Sequence, residues 1–207
     1  MCGGLEEKSA SMTKEVIPVK LRRTYRIQEV KGVNVSRLAS GREGMALAVG
    51  LDVSKAELIV GLCWEDGTYG GPWRTANPGG IRELISLLQK LGQGRQLIVA
   101  MEPTGTYGDP IRQALTDAGV TVHRVNGKAV HDYAEVFDGV PSQHDGKDAL
   151  MVAELAAMGK SSAWPYEESS VEDRERRYWV DRMDSQAQLG QLWTGRLEDC
   201  WRVTGRR

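Results

Sequence analysis

The chain has 207 residues and a formal net charge of −1, so it is long enough for one ordinary domain with extensions and carries no bulk charge that would attract nucleic acid. Its cysteines, Cys2, Cys63 and Cys200, share no metal-ligand spacing, which argues against a disulfide framework or a zinc site and favours a reducing compartment. It contains no apolar run of membrane-spanning length and no signal-peptide pattern. We therefore expect a cytoplasmic protein that does not bind membranes.

Residues 1–44 form a block that is net basic and only weakly periodic, and a second methionine, Met45, follows it. Clustered charge without an apolar pattern is typical of a disordered segment, so we predict a basic, disordered leader. An arm whose Lys and Arg side chains contact phosphates would have the same composition. The sequence leaves both interpretations open.

Residues 45–166 alternate between strand and helix patterns, which predicts one α/β domain. The first two predicted strands are adjacent and should form a hairpin, and the Gly-, Pro- and Trp-rich stretch after them is predicted to be a loop. In chain order the predicted elements are strands at ALAVGLDV and AELIVGLCW, a helix at IRELISLLQKLG, a strand at QLIVAME, a helix at DPIRQALTDAG, a strand at VTVHRV, a helix near KAVHDYAEVF and a helix from Asp145 that closes at Gly159.

Residues 167–207 are highly charged and carry aromatic and leucine side chains at loose helical spacing. The segment has too little apolar surface to fold on its own, so we predict a helix that packs on a partner helix, as at the start of a coiled coil. Aromatic side chains among arginines can also stack on nucleic acid.

Two carboxylates end predicted buried strands, and two more begin a predicted helix. Asp52 ends ALAVGLDV, Glu102 ends QLIVAME, and Asp145 and Asp148 lie three residues apart in a first helical turn. Each has an ordinary explanation, because strand-end carboxylates can be hydrogen-bonded and acids in a first turn complement the helix dipole. If the strands are neighbours and the helix packs on their sheet, however, all four carboxylates meet at one edge.

A cluster of carboxylates requires positive charge to offset its repulsion. Two unit charges about 4 Å apart repel by about 4 kcal/mol at an effective dielectric constant of about 20. A hard divalent ion such as Mg²⁺ accepts carboxylate oxygens, and a pair of such ions can hold the attacking and leaving oxygens around a phosphodiester. The four acids would therefore suit metal-dependent phosphodiester chemistry.

Three blocks, GLDVSKAELIVGL, MEPTGTYG and HDGKDALMVAEL, resemble the catalytic blocks of the DEDD transposases of the IS110 family. Their order is also similar to that of RuvC-type Holliday junction resolvases, and the resemblance covers about residues 46–166. It implies a RuvC-like, ribonuclease-H-like mixed sheet flanked by helices, Mg²⁺ or Mn²⁺ as the cofactor, and DNA transposition or recombination by homo-oligomers guided by a structured RNA of the insertion sequence. By this resemblance the catalytic and metal-binding residues are Asp52, Glu102, Asp145 and Asp148.

The sequence departs from the family pattern in two ways. Members of the family continue through a coiled coil into a second domain with a serine nucleophile, and no stretch before Arg207 matches that domain. Ser54 belongs to the first catalytic block and is not a candidate for this nucleophile, and the leader before Met45 lies outside the resemblance. We therefore expect a truncated transposase, and whether it is active as an enzyme stays open.

Four residues near the acids are candidates for nucleic-acid binding: Lys55, Lys147, Thr104 and Tyr107. The lysines lie beside the acids in sequence and could contact phosphate, although a solvated lysine would look the same. Thr104 and Tyr107 follow Glu102, and Gly105 between them would allow close approach of a phosphate, or simply a strand-to-helix turn.

Two other function classes share parts of this pattern. A sugar-kinase or actin-like ATPase domain has a similar order of strands and helices, but it needs a second phosphate-binding hairpin and an adenosine site, for which 207 residues leave no room. A non-catalytic remnant would keep the fold and bind nucleic acid without cleaving it. Binding of ATP would distinguish the first class, and a cleavage assay the second.

Overall fold

The computed structural model describes residues 25–103, 105–139 and 144–167, together with residues 171, 174, 175, 178, 182, 183 and 186. The strands are β1 (Gln28–Glu29), β2 (Leu47–Val53), β3 (Glu57–Trp64), β4 (Tyr69–Ala76), β5 (Leu97–Met101), β6 (Thr121–Arg124) and β7 (Ser162–Ala163). The helices are α1 (Val35–Ala39), α2 (Ile81–Leu91), α3 (Asp109–Asp117), α4 (Gly127–Asp138) and α5 (Asp145–Ala157), with a 3-10 turn at Val30–Gly32.

The described strands form one mixed sheet in the order β1-β4-β3-β2-β5-β6-β7. Strands β2, β3 and β4 pair antiparallel, which confirms the predicted hairpin, whereas β5 pairs parallel with β2 and β6 parallel with β5. Parallel neighbours need a crossover connection, and α2 and α3 lie in these connections. The sheet confirms the predicted α/β fold class, a mixed sheet flanked by helices.

Both faces of the sheet are covered, which explains why β2 reads as an almost continuous apolar run. Leu47, Val49 and Leu51 point to a core that contains the apolar faces of α2 and α3. Ala48 points to the opposite core, which contains side chains of α4 and α5. Because side chains alternate along a strand, Asp52 lies on the face that α4 and α5 cover.

The stretch predicted to be a loop after the hairpin is strand β4. Two residues of β4, Gly71 and Pro72, lie opposite the single residue Gly61, where the register shifts between Val60 and Leu62. A β-bulge of this kind accommodates a proline, which cannot donate a hydrogen bond to the ladder. The Gly and Pro signals therefore mark an irregularity within a strand, and the prediction of a loop is wrong.

Part of the predicted leader is packed against the sheet. Within residues 25–44, β1 pairs parallel with β4, and Val30 is buried in the core on the α2 side. The Tyr25 hydroxyl donates a hydrogen bond to Asp138 at the end of α4. These contacts use a few apolar side chains spread through a basic stretch, too few for a periodic signal, so the prediction of disorder is wrong for residues 25–44.

Two predicted segments lie mainly outside the described residues. Residues 1–24 of the leader are not described, and beyond residue 167 the structure describes only isolated positions. The predicted coiled-coil start in 167–207 therefore stays a prediction. Among the helices in the described part of the chain, none combines the length and apolar character needed to cross a membrane.

Candidate active site

Two of the four predicted acids are placed side by side by the pairing of β2 with β5. Leu51 and Met101 are register partners in these parallel strands, so Asp52 and Glu102 follow at the same edge of the sheet. Both carboxylates are partly buried. The prediction that the two strands are neighbours is confirmed.

Helix α5 reaches this edge because two glycines let it lie directly on the sheet. Gly50 and Gly61 are register partners in β2 and β3. A Cβ atom on Gly50 would overlap the carbonyl oxygen of Ala149, and one on Gly61 would lie 2.8 Å from the backbone nitrogen of Leu150. The backbone of α5 therefore occupies the space that side chains would fill, and this role of the two glycines could not be predicted from the sequence.

The first turn of α5 carries the remaining two acids. His144 caps the helix, since its Nδ1 accepts a hydrogen bond of 3.2 Å from the backbone N–H of Gly146. Asp145 is exposed and Asp148 is partly buried, and both lie where acidic side chains complement the helix dipole. The two aspartates therefore begin the helix as the ordinary explanation requires, and they also face Asp52.

Asp52 shows most directly that the acids form one group. Burial is the main reason that the pKa of its carboxyl is raised to about 6, and repulsion by Asp148, Asp145 and Glu102 raises it further. A hydrogen bond from the backbone of Val53 opposes the shift only in part. Carboxylates that raise one another's pKa are the setting in which a cation is held.

The neighbouring acids respond to the same environment. Burial raises the pKa of Glu102, and the charge of Asp148 adds to the effect. Burial also raises the pKa of Asp148, with a further contribution from Asp145, while Lys147 and His144 act in the opposite direction. The charge of Asp148 therefore acts on both Asp52 and Glu102.

Glu102 is also in contact with the start of α4. A Cβ atom added to Gly127, the first residue of α4, would lie 2.7 Å from Oε2 of Glu102. A larger residue at position 127 would displace this carboxylate. Asn126, the residue before Gly127, caps α4, since its side chain accepts a hydrogen bond of 2.9 Å from the backbone N–H of Lys128. The importance of Gly127 depends on a contact between distant parts of the chain, which the sequence alone does not reveal.

The donor chemistry of the four carboxylates fits a hard divalent cation, which prefers oxygen ligands and offsets their mutual repulsion. Within the described part of the chain, no group of three or more His, Cys, Asp or Glu side chains is already arranged to hold a metal ion. The acids thus share one electrostatic environment without the spacing of a formed coordination shell.

Lys147 does not face the edge of the sheet where the acids lie. Its side chain is 1% exposed, and its Nζ lies 2.7 Å from Oδ1 of Asp138, near the end of α4. Binding of a phosphate would require this buried ion pair to break, which is strongly unfavourable. The prediction that Lys147 binds nucleic acid is wrong, because a residue between two first-turn aspartates points to the other side of the helix.

The two other described nucleic-acid candidates lie next to each other. Nζ of the exposed Lys55 is 5.9 Å from the ring centroid of Tyr107. Asn77 connects their loops, since its Nδ2 donates hydrogen bonds to the carbonyl oxygens of Ser54 (2.8 Å) and Tyr107 (3.0 Å). Thr104 lies outside the described residues. A role of Lys55 and Tyr107 in nucleic-acid binding stays a prediction.

Ser54 has a local structural role. Its Oγ donates a hydrogen bond to the carbonyl oxygen of Glu57 and accepts one from the backbone N–H of Glu57. The hydroxyl therefore closes the turn between β2 and β3. This use agrees with the expectation that Ser54 is not a nucleophile.

Four carboxylates interact at this edge of the sheet, and comparison with known families assigns the domain that carries them. The family model of the DEDD transposases of IS110 type, described as "Transposase", matches residues 49–175, which is more than half of the chain. The chain belongs to this transposase family. The matched range contains Asp52, Glu102, Asp145 and Asp148.

Comparisons with individual proteins give weaker similarity. No curated protein matches the chain. Among solved structures, RuvC of Thermus thermophilus in complex with a Holliday junction substrate has 16% sequence identity and a TM-score of 0.43, over 57% of this chain and 99% of RuvC. A further Thermus thermophilus RuvC structure has 18% identity and a TM-score of 0.40, over 57% and 99% of the two chains.

Proposed function

We propose that this chain provides the nuclease-like part of an insertion-sequence transposase and holds divalent metal for phosphodiester chemistry in DNA transposition. The raised pKa of Asp52, caused by burial and by the charges of Asp148, Asp145 and Glu102, is the observation that carries the proposal. Isolated strand-end and helix-start carboxylates would not affect one another in this way. Family membership supports the same chemistry.

In this proposal the metal ligands are Asp52, Glu102, Asp145 and Asp148, and the ion is Mg²⁺ or Mn²⁺. When bound, the ion supplies charge that stabilises the oxygens of a phosphodiester undergoing displacement. Asp52, with a pKa of about 6, is mostly ionised at neutral pH and ready to bind a cation without first losing a proton. Asp145 is the exposed member of the set.

The partners in this proposal are DNA, a structured guide RNA and further copies of the chain, in the cytoplasm. The exposed Lys55 next to Tyr107 supports nucleic-acid binding at this edge, since a cation and an aromatic ring can contact phosphate and base together. Family membership supports the transposition role and gives no support to a sugar-kinase or actin-like ATPase.

The test is cleavage or strand transfer of labelled branched DNA by the full chain, with Mg²⁺ or Mn²⁺ and with or without a structured RNA of the element. We expect metal-dependent products that disappear with Asp52→Asn. Asp117→Asn, which changes an exposed aspartate at the end of α3, is the matched control and should leave the products unchanged. Products that persist with Asp52→Asn, or that form without metal, would contradict the proposal.

A second candidate function is nucleic-acid binding without cleavage. It is favoured by the lack, among the described residues, of three potential ligands already arranged around one metal position. In that case the chain would bind branched DNA, and the four carboxylates would neither bind metal nor support product formation. Binding without products at every metal concentration, together with no metal-induced stabilisation, would establish this alternative.

A further inference from the structure

A cleft lies next to the carboxylate of Glu102, at the ends of β5 and β6. It has a volume of about 650 Å³, and its lining includes Pro103, which follows Glu102, and Gly127, which touches the Glu102 carboxylate. Ligands of α/β sheets bind at the carboxyl ends of parallel strands, which is where this cleft opens. None of its lining residues belongs to the predicted site.

The charge of this cleft is opposite to that of the carboxylates. Among the described residues that line it, Arg124 and Lys160 are positively charged and no residue is acidic. Both side chains belong to exposed residues. The lining therefore attracts anions, and the positive end of the α4 dipole adds to the same field.

Two serines add hydroxyl groups to the lining. Nε of Arg124 donates a hydrogen bond of 3.4 Å to Oγ of Ser162, its register partner across β6 and β7. Oγ of Ser161 lies 2.8 Å from Nδ1 of His123. These contacts orient a guanidinium and two hydroxyls at the end of the sheet, which is a set of donors that suits phosphate oxygens.

We infer that the cleft at Arg124 and Lys160 binds a backbone phosphate of a nucleic-acid strand and thereby places that strand beside Glu102. The identification of the ligand as a nucleic-acid strand rests on the proposed function, in which the neighbouring carboxylates act on a phosphodiester. A phosphodiester strand approaching four carboxylates is repelled until a cation binds, and an adjacent cationic cleft offsets this repulsion. DNA and RNA present the same phosphodiester group, so the cleft fits either.

The test measures binding of fluorescent single strands of DNA and RNA to the full chain in EDTA, as a function of salt concentration. The double variant Arg124→Gln/Lys160→Gln is compared with Arg82→Gln/Lys90→Gln, which removes the same two charges from exposed positions on α2. Loss of two phosphate contacts should lower the slope of log affinity against log salt by about 1.4 for single strands and weaken binding on the order of tenfold. The α2 variant should keep the slope of the wild type.

Equal slopes for the cleft variant and the wild type, or no binding by the wild type, would overturn the inference. Lys160→Gln alone, at an exposed position outside the helices and strands, serves as a second variant and should lower the slope by about 0.7. Comparison of the DNA and RNA arms identifies the strand that the cleft prefers. Because EDTA removes metal, a defective metal site would leave these slopes unchanged, so failure of the proposed function and failure of the cleft are distinguishable.

Discussion

Asp52 shows how a single residue connects folding with the proposed chemistry. It lies near the end of the buried strand β2, and both burial and three neighbouring acids raise the pKa of its carboxyl to about 6. Without metal, the ionised carboxylate therefore costs the folded state free energy at neutral pH. A bound cation would reverse this effect, because it favours the ionised form.

The variant Asp52→Asn should therefore be more stable than the wild type in EDTA at pH 7.5. A pKa that is higher in the folded than in the unfolded protein means that stability is lost as pH rises through about 6, and Asn avoids this loss. With allowance for solvent screening, we expect a gain of about 1–2 kcal/mol, or about 2–8 °C in Tm, measured by thermal unfolding. The gain should fade between pH 6 and pH 4.

Asp66→Asn is the control for this pH dependence and should behave in the opposite way. Hydrogen bonds from Thr68 lower the pKa of this exposed carboxyl, so its contribution to stability is present at neutral pH and lost on acidification. A gain for Asp52→Asn that did not change with pH would contradict the assigned cause, since it would have to come from packing.

At the scale of elements, the site depends on how closely α5 lies on β2 and β3. Gly146 in the first turn of α5 packs against Pro72 of β4, while Gly61 of β3 and Gly50 of β2 pack against the middle of the helix. The helix therefore crosses these strands, and the acids of its first turn act on Asp52. Backbone contact of this kind leaves no room for adjustment by side chains. The positions of Asp145 and Asp148 are therefore set by glycines on neighbouring strands.

Gly50→Ala should destabilise the protein and move the first turn of α5 away from Asp52. The added Cβ would overlap the Ala149 carbonyl, and overpacking of a core typically costs about 1–3 kcal/mol. The measurement is the free energy of unfolding in urea, with Gly32→Ala as the matched control because nothing lies within 4 Å of its added Cβ. Equal stability of the two variants would contradict the close contact.

Gly127→Ala tests the contact between α4 and Glu102 without disturbing the core. The added methyl group would displace the Glu102 carboxylate, so we expect the metal-induced rise in Tm to fall while Tm in EDTA changes little. Gly108→Ala, at the start of α3, is the control, since its Cβ would lie 3.5 Å from Sδ of Met101, an ordinary contact. A metal response equal to that of the wild type would show that Glu102 does not act as a ligand.

At the scale of the whole molecule, the sequence predicted the features that depend on local pattern. Three features can each be recognised from a short stretch of sequence: the apolar run that ends at Asp52, the adjacent hairpin strand and the acidic first turn of α5. Features that depend on contacts between distant segments could not be predicted. The burial of Lys147 requires the packing of α4 on α5, and the contact of Gly127 with Glu102 requires the pairing of β5 and β6.

Two further differences arise because tertiary packing overrides a local signal. Gly71 and Pro72 give a turn signal but lie in a bulge of β4, where neighbouring strands supply the pairing. Val30 lies in a basic stretch but is buried against the sheet. In both places the rest of the fold provides the partners that the local sequence does not reveal.

The most direct test of the account is thermal unfolding of the full chain with and without Mn²⁺ or Mg²⁺, for the wild type and Asp148→Ala. Metal at ten times its dissociation constant should stabilise the wild type by about 1.4 kcal/mol, or about 3–6 °C. The shift should vanish with Asp148→Ala and persist with the control Asp117→Ala. A well-folded wild type without a shift, or an equal shift with Asp148→Ala, would contradict the claim that the four carboxylates form one metal site.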